Sequence, residues 1–126
     1  MPLHFLSSAG LDIYVGKNNE QNDRLTRSAP PDALWLHVKD AAGSHVIVDC
    51  KGMPDKQTLL EAATLAVHFS SQRNGAGMPV DYVAKRYVKK PSGSKPGFVI
   101  FTNQRTVLIT PDLNVINTLK KGVKEV

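Results

Sequence analysis

The pattern of apolar positions predicts short β-strands in the first half of the chain. Residues 2–8 and 12–16 carry spaced apolar side chains, and the Ser-Ala-Gly-Leu turn between them indicates a hairpin. Two further runs, at residues 34–38 and 44–50, are rich in β-branched and large apolar side chains. A turn at residues 40–43 separates these runs, so they predict a second hairpin.

Helical spacing is clearest over residues 55–73. The apolar side chains that share one helical face there are Leu59, Leu60, Ala63, Ala66 and Val67. Asp55 is a suitable N-cap, and the glycine-bearing run that follows predicts the end of the helix. A second, polar helix is predicted at residues 18–28, with Asn18 or Asn19 as its cap.

The second half of the chain predicts further strands and a short terminal helix. Residues 80–89 alternate imperfectly between apolar and polar, as in a strand with one buried face. Residues 98–101 and 106–109 predict a last hairpin around a turn at 103–104. The chain from residue 114 onward predicts a short helix with a frayed end.

Together these elements predict an α+β fold in a single domain over residues 1–126. The expected architecture is a mostly antiparallel sheet of six to seven strands. One main helix (about 55–73) packs on this sheet, and a short polar helix (about 18–28) lies elsewhere on the domain. A chain of 126 residues can bury one core without disulfides or metals.

Charge and cysteine content narrow the class of protein. The chain has 16 Lys and Arg against 11 Asp and Glu, a net charge of +5, which favours a polyanionic partner. Nucleic acid is the first such partner and an anionic membrane surface the second. Cys50 is the only cysteine, so a reducing compartment is expected. The N-terminus has neither the basic nor the apolar run of a signal peptide, and we expect a cytoplasmic protein without a transmembrane helix.

The most pronounced charge feature is the absence of acidic residues between positions 82 and 110. The cations in that segment are Lys85, Arg86, Lys89, Lys90, Lys95 and Arg105. The loop at residues 91–97 adds backbone amides, and cations with free amides are what phosphates bind. A regular strand would place Lys85 and Lys89 opposite Arg86 and Lys90, so the alternative is an ordinary solvated strand.

A second cluster joins an aromatic ring to imidazoles. Alternation places Trp35, His37 and Lys39 on one strand face, and the turn brings Ser44 and His45 close to them. Such a patch could stack a base and contact phosphate or ribose. The alternatives are an RNA-cleaving pair of histidines acting as acid and base, or a buried, purely structural cluster. No spacing supports a metal site here, even with Asp40 added.

A third feature is the run of amides at the start of the polar helix. Asn18, Gln21, Asn22 and Asp23 suit base edges or ribose hydroxyls, although such residues also cap helices. No Ser-His-Asp grouping, phosphate loop or dinucleotide fingerprint is present. We therefore predict no catalytic residue, no metal and no cofactor, and expect a binding module.

Four runs of the chain resemble the NFACT-R domain, the C-terminal RNA-binding domain of the NFACT family. They are VGKNNEQNDRLT (15–26), LWLHVKDAAGSHVIV (34–48), LLEAATLAVHFSSQR (59–73) and MPVDYVAKRYVKKPSGSKPGFVIFTNQRTVLI (78–109). The resemblance covers nearly the whole chain in the right order. One departure is Ser-Ala-Gly at residues 8–10, where the family often has Ser-Asp-Gly.

The resemblance implies an RNA-binding module. NFACT proteins include ribosome-quality-control factors that bind large ribosomal subunits carrying stalled peptidyl-tRNA and recruit tRNA for untemplated tailing. The implied partners are tRNA, the large ribosomal subunit and ribosomal proteins. The family's glycosylase-like, helix-hairpin-helix and coiled-coil segments are missing, so the chain resembles a standalone or an excised domain. Some standalone versions are linked to proposed RNA-modification pathways. The alternative function is therefore that of a standalone adaptor in such a pathway.

The resemblance also identifies the motif positions of the family in this chain. The matching residues are Asn18, Gln21, Asn22, Asp23, Trp35, His37, Lys39, Gly43, Ser44, His45, Asp81, Lys89, Lys90, Lys95 and Gly97. Together with the cations from the basic segment, the predicted nucleic-acid-binding set is Asn18, Gln21, Asn22, Asp23, Trp35, His37, Lys39, Ser44, His45, Lys85, Arg86, Lys89, Lys90 and Lys95.

Overall fold

The computed structural model describes residues 1–120 and the backbone of residues 124–125. The strands are β1 (Leu3–Leu6), β2 (Asp12–Val15), β3 (Leu34–Val38), β4 (Val46–Val48), β5 (Met78–Ala84), β6 (Val88–Lys89), β7 (Ile100–Phe101), β8 (Arg105–Ile109) and β9 (Lys124–Glu125). The helices are α1 (Asn19–Ser28), α2 (Lys56–His68) and α3 (Leu113–Lys120).

Six strands form one antiparallel sheet in the order β8-β5-β3-β4-β2-β1, and β9 extends it beyond β1. Strands β6 and β7 pair with each other in a separate two-stranded sheet. The predicted α+β class and both N-terminal hairpins are confirmed, with β1 against β2 and β3 against β4. Within residues 1–120, no helix has the length and apolar character needed to cross a membrane.

One face of the sheet packs against α2. Leu34 and Leu36 of β3 point to this face, together with Val46 and Val48 of β4, and all four are buried. Small buried side chains of α2, such as Ala62, let the helix lie close to the strands. This layer holds the larger core, which buried residues of α3 complete.

Helix α2 begins where the sequence predicts and ends earlier. Asp55 caps it by accepting a 3.0 Å hydrogen bond from the Thr58 amide. The predicted end at residue 73 is wrong, because the chain after Phe69 binds the loop that precedes β4. The Ser44 amide donates to the Phe69 carbonyl, and the Ser71 amide donates to the Ala42 carbonyl.

The opposite face holds a smaller core around Trp35. Ile47 and Val83 lie beside Trp35 on neighbouring strands, and Phe101 of β7 covers its ring at a centroid distance of 4.8 Å. Helix α1 packs against this cluster through Leu25. The sheet is therefore covered on both faces, by α2 on one and by α1 with the β6–β7 pair on the other.

The predicted hairpin of residues 98–101 and 106–109 is wrong. Strand β7 pairs with β6, and β8 pairs with β5 at the sheet edge. Burial of Phe101 against Trp35 holds β7 over the face, and Asn103, with φ of 63°, turns the chain towards β8. The predicted strand at 80–89 is likewise interrupted by a 3₁₀ turn at Lys85–Tyr87.

The predicted C-terminal helix is confirmed as α3. It begins at Leu113, and its buried residues Ile116 and Leu119 join the core beside α2. The frayed end that the sequence predicts falls beyond residue 120, outside the described residues.

The packing of α2 predicts the cost of a truncation. Leu65 is fully buried between α2 and the sheet, so Leu65→Ala should lower the free energy of unfolding by about 2–5 kcal/mol. Leu113→Ala, at an exposed leucine, should change it by less than about 0.5 kcal/mol. Urea denaturation measures both, and equal losses would contradict the layer arrangement.

Candidate nucleic-acid interface

A groove of 210 Å³ runs between α1 and the segment that follows β5. We call it the basic groove. Its lining residues are Asp23, Thr26, Arg27, Lys85, Val88, Lys89, Lys90 and Val99. Four of these side chains are cationic and one is acidic, so the groove favours an anionic ligand.

The 3₁₀ turn explains why the lysines converge. A continuous strand would send Lys85 and Lys90 to opposite faces, but the turn at Lys85–Tyr87 breaks the alternation. The Lys85 amide donates to the Ala33 carbonyl at 2.8 Å, which anchors the turn beside β3. Arg86 does not line the groove; its guanidinium lies 5.1 Å from the centre of the Tyr87 ring.

Asp23 attaches the loop at residues 91–97 to α1. Its carboxylate accepts a 2.8 Å hydrogen bond from the Gly97 amide and lies 3.3 Å from the Lys90 ammonium. Lys90 also donates to the carbonyls of Lys95 and Phe98. Lys95 itself is exposed on the loop and lies outside the groove lining. Lys90 therefore has a structural role. The Lys85 ammonium donates to the Arg27 carbonyl at 3.3 Å, so Lys85 joins Arg27 and Lys89 as cations along this side of α1.

His45 lies beneath this interface and is 2% exposed. Its Nε2 is 3.0 Å from the Gly97 carbonyl oxygen and its Nδ1 is 2.7 Å from Thr26 Oγ1. A carbonyl can only accept, so Nε2 carries the hydrogen and Nδ1 accepts from the threonine hydroxyl. Asn22 Oδ1 accepts from the His45 backbone amide at 3.1 Å. The neutral imidazole thus satisfies both of its neighbours.

The surroundings of His45 favour this neutral form. Burial lowers its pKa to about 4, and the nearby His37 and Lys90 act in the same direction. The Gly97 carbonyl and Asp23 oppose the shift without cancelling it. His45 is buried and hydrogen-bonded through each ring nitrogen. Its side chain therefore holds α1 and the loop at residues 91–97 in place beneath the groove.

The expected exposed platform at Trp35 is wrong. Its ring is 1% exposed, covered by Phe101 and by His45, whose ring meets it edge-on at 5.4 Å. The predicted proximity of the two histidines is confirmed, with ring centres 5.7 Å apart. His37 stacks parallel to Trp35 at 5.9 Å, and burial lowers its pKa. These aromatic rings form a cluster in the core. The patch therefore matches the alternative of a buried, purely structural cluster and not that of an exposed binding surface.

Lys39 lies beside a buried acid that the pattern of charges did not single out. Asp81 is 3% exposed, and its Oδ1 lies 3.7 Å from the Lys39 ammonium. The Thr106 hydroxyl also donates to Asp81 at 2.8 Å. Lys39 therefore balances Asp81 on β5, and it is not one of the residues that line the basic groove.

The amides at the start of α1 mainly support the helix itself. Asn18 caps α1 by accepting from the Gln21 amide at 2.9 Å, and Gln21 accepts from the Lys17 amide. Gln21 and Asn22 are buried, while Asn18 is exposed. Ser44 is half-buried and lines a different cleft from the basic groove, together with Asn18 and Asn22.

Two polar residues of the groove were missed by the sequence analysis, along with the apolar Val88 and Val99. Thr26 and Arg27 line the groove although neither was predicted. Arg27 could have been predicted from helical spacing. It follows the predicted residue Asp23 by four positions and therefore lies one turn further along the same face of α1. Within residues 1–120, no group of three histidine, cysteine or acidic side chains is placed to hold a metal ion.

A family model described as the NFACT protein RNA binding domain matches residues 1–103. The chain belongs to the NFACT RNA-binding domain family. The matched region includes α1, His45, the whole basic groove and the loop that covers it. RNA binding is therefore the activity that family membership supports.

Similar proteins carry this domain as part of a longer chain. The Rqc2 homolog RqcH of Bacillus subtilis is 52% identical over 117 residues, covering 92% of this chain and 20% of that protein. RqcH of Streptococcus pneumoniae strain D39 is 42% identical over 120 residues, covering 94% of this chain and 22% of that protein. This NFACT domain thus spans about a fifth of the length of these relatives.

A solved structure shares the fold. The C-terminal part of the fibronectin/fibrinogen-binding protein of Streptococcus suis superposes with a TM-score of 0.89 at 39% sequence identity. The match covers 94% of this chain and 48% of that one. The α+β arrangement of the NFACT domain is therefore shared with an experimentally determined relative.

The neutral His45 predicts how stability depends on pH. Its folded-state pKa of about 4 lies below the unfolded value near 6.5, so only the unfolded chain takes up the proton between these values. Its stabilising contribution is complete above about pH 6.5 and is lost as the pH falls towards 4, by on the order of 3 kcal/mol. Urea denaturation across this range measures the loss.

Two histidine variants separate this contribution from that of other groups. His45→Gln should flatten the pH dependence between 6.5 and 4, because the titrating ring is gone. His68→Gln, at the half-buried end of α2, should retain most of the dependence. The assignment is wrong if wild-type protein and His45→Gln lose stability in parallel.

Proposed function

We propose that this NFACT domain binds structured RNA, either tRNA or ribosomal RNA, through the basic groove. The observation that carries the proposal is the convergence of Arg27, Lys85 and Lys89 along one side of α1. Cations grouped in this way neutralise adjacent phosphates of a folded RNA and release counterions. The exposed loop with Lys95 extends the same charge beyond the groove.

The groove is preorganised for such a ligand. Hydrogen bonds from Gly97 to Asp23 and from His45 to Gly97 hold the loop on α1. Little backbone ordering is then required when RNA binds, which lowers the cost of association. The proposed contacts are Arg27, Lys85, Lys89 and Lys95, while His45, Asn22 and Asp23 position them.

We infer that the domain is a binding module and not an RNA-cleaving enzyme. An acid-base pair needs accessible imidazoles with pKa values near neutrality. His45 is buried with a pKa of about 4, and burial also lowers the pKa of His37. Purified protein should leave labelled tRNA intact with and without divalent metal, and specific cleavage products would refute this inference.

The relatives suggest the cellular process in which this RNA binding takes part. The RqcH proteins are named as homologues of Rqc2, so we propose cytoplasmic ribosome quality control, with the large ribosomal subunit and its tRNA as partners. Crosslinking the domain in cells and sequencing the attached RNA tests this directly. Recovery of neither ribosomal RNA nor tRNA would refute it.

Removing two groove lysines should weaken RNA binding. The double variant Lys85→Gln and Lys89→Gln deletes two phosphate contacts, so affinity for tRNA should fall by about tenfold. The slope of log affinity against log salt should become shallower by roughly one to two. Fluorescence anisotropy at several salt concentrations measures both quantities.

The matched control carries the same charge change elsewhere. Lys51→Gln with Lys56→Gln removes two exposed lysines that lie outside the groove lining. This control should alter affinity and salt slope much less. An equal effect of both pairs would show that net charge, not the groove, drives binding.

Displacing the loop should weaken binding without removing a charge. Gly97 has φ of +85°, and a Cβ there would lie 2.7 Å from Asn19 Oδ1. Gly97→Ala should therefore push the loop off α1 and weaken binding by roughly fivefold, about the effect of one lost hydrogen bond. The salt slope should stay the same because the cations remain.

Gly93→Ala is the control for this loop variant. Gly93 also has positive φ, but a Cβ there meets nothing within 4 Å. It shares the backbone strain of Gly97→Ala and lacks the steric clash. If both alanine variants bind RNA equally well, the loop position does not matter for the interface.

A further inference from the structure

A second cleft, of 520 Å³, lies between the start of α1 and the segment that follows α2. We call it the polar cleft. One wall is formed by Asn18, Asn19 and Asn22, and the other by Ser44, Ser71 and Arg73. Its volume falls in the range of about 300–1,000 Å³ that is usual for small-molecule sites.

The polar groups of this cleft match the chemistry of a nucleotide. Amide and hydroxyl side chains both donate and accept hydrogen bonds, as base edges and ribose hydroxyls require. Arg73 adds positive charge for a phosphate, and none of the described lining residues is acidic. The lining differs in this way from the basic groove, where cations dominate and amides are absent.

The walls of the cleft are held in place before any ligand binds. The Ser44 amide donates to the Phe69 carbonyl at 3.2 Å, and the Ser71 amide donates to the Ala42 carbonyl at 2.9 Å. On the other side, a Cβ on Gly16 would lie 1.9 Å from Asn22 Oδ1, so only glycine permits this approach. The cleft is therefore a built feature of the fold, with little to order on binding.

Asn22 presents a buried amide to this cleft. The residue is 3% exposed, and its Oδ1 is engaged by the His45 backbone amide. This bond identifies Nδ2, a donor, as the other end of the side chain. An amide held in place at a cleft wall can offer this donor to an acceptor on a ligand.

Helix α1 connects the two clefts. Asn19 and Asn22 line the polar cleft, while Asp23 and Arg27 line the basic groove on the same helix. Residues 19 and 27 are about 12 Å apart along the axis, at 1.5 Å per residue. A single RNA strand can therefore lie across α1 and reach both.

We propose that the polar cleft receives one unpaired nucleotide of the RNA whose phosphates lie in the basic groove. This rests on the proposed function and specifies its ligand as RNA with a looped-out or terminal nucleotide. Arg73 contacts the phosphate, and the amides and hydroxyls contact the sugar and base edge. Duplex RNA without an unpaired nucleotide binds through the groove alone.

The test compares two fluorescent RNAs, a hairpin with an unpaired loop and a fully paired duplex of equal length. Ser71→Trp fills the cleft from an exposed position, and Arg73→Gln removes its cation. Each should weaken hairpin binding by roughly tenfold and duplex binding by less than about twofold. Arg24→Gln, outside both clefts, should change neither.

The outcomes separate this inference from the proposed function. Loss of both RNAs in the Lys85→Gln and Lys89→Gln variant, with unchanged hairpin binding in the two cleft variants, overturns the nucleotide site alone. Crosslinks from 4-thiouridine in the loop should map to residues 68–73. Crosslinks confined to residues 85–90, or equally tight binding of free adenosine monophosphate and the hairpin, would also overturn it.

Discussion

The hydrogen bonds of the buried His45 hold together the three segments that form the interface. Its neutral ring joins Thr26 on α1 to the Gly97 carbonyl of the loop, and its backbone amide binds Asn22. The position of the loop, the entrance of the basic groove and the wall of the polar cleft all depend on these contacts. A charged imidazole would disturb this geometry, since Nδ1 could no longer accept from the threonine.

The interface is asymmetric because the sheet is covered differently on its two faces. Helix α2 covers one face with a close-packed aliphatic core. The other face is covered by α1 and the short β6–β7 pair, which meet over Trp35. Clefts remain at the borders of this second, smaller layer, and the cations and amides line them.

Two acidic residues, one beside the basic groove and one on β5, are balanced by cations and hydrogen bonds. Asp23 balances Lys90 and positions Gly97, while Asp81 is balanced by Lys39 and Thr106. Each carboxylate has partners, as burial requires. Asp23 thereby fixes the geometry of the basic groove, and Arg27, Lys85 and Lys89 supply positive charge to its lining.

The sequence by itself determined the α+β class, a cap of α1 at Asn18 or Asn19, the start of α2 at Asp55 and the two N-terminal hairpins, because caps, turns and periodicity are local. It also located the acid-free cationic segment and paired His37 with His45. Only the tertiary structure decided that β7 pairs with β6, that the turn at Lys85–Tyr87 gathers the lysines, and that Trp35 and His45 are buried. These outcomes depend on packing between residues far apart in the chain, which local patterns do not encode.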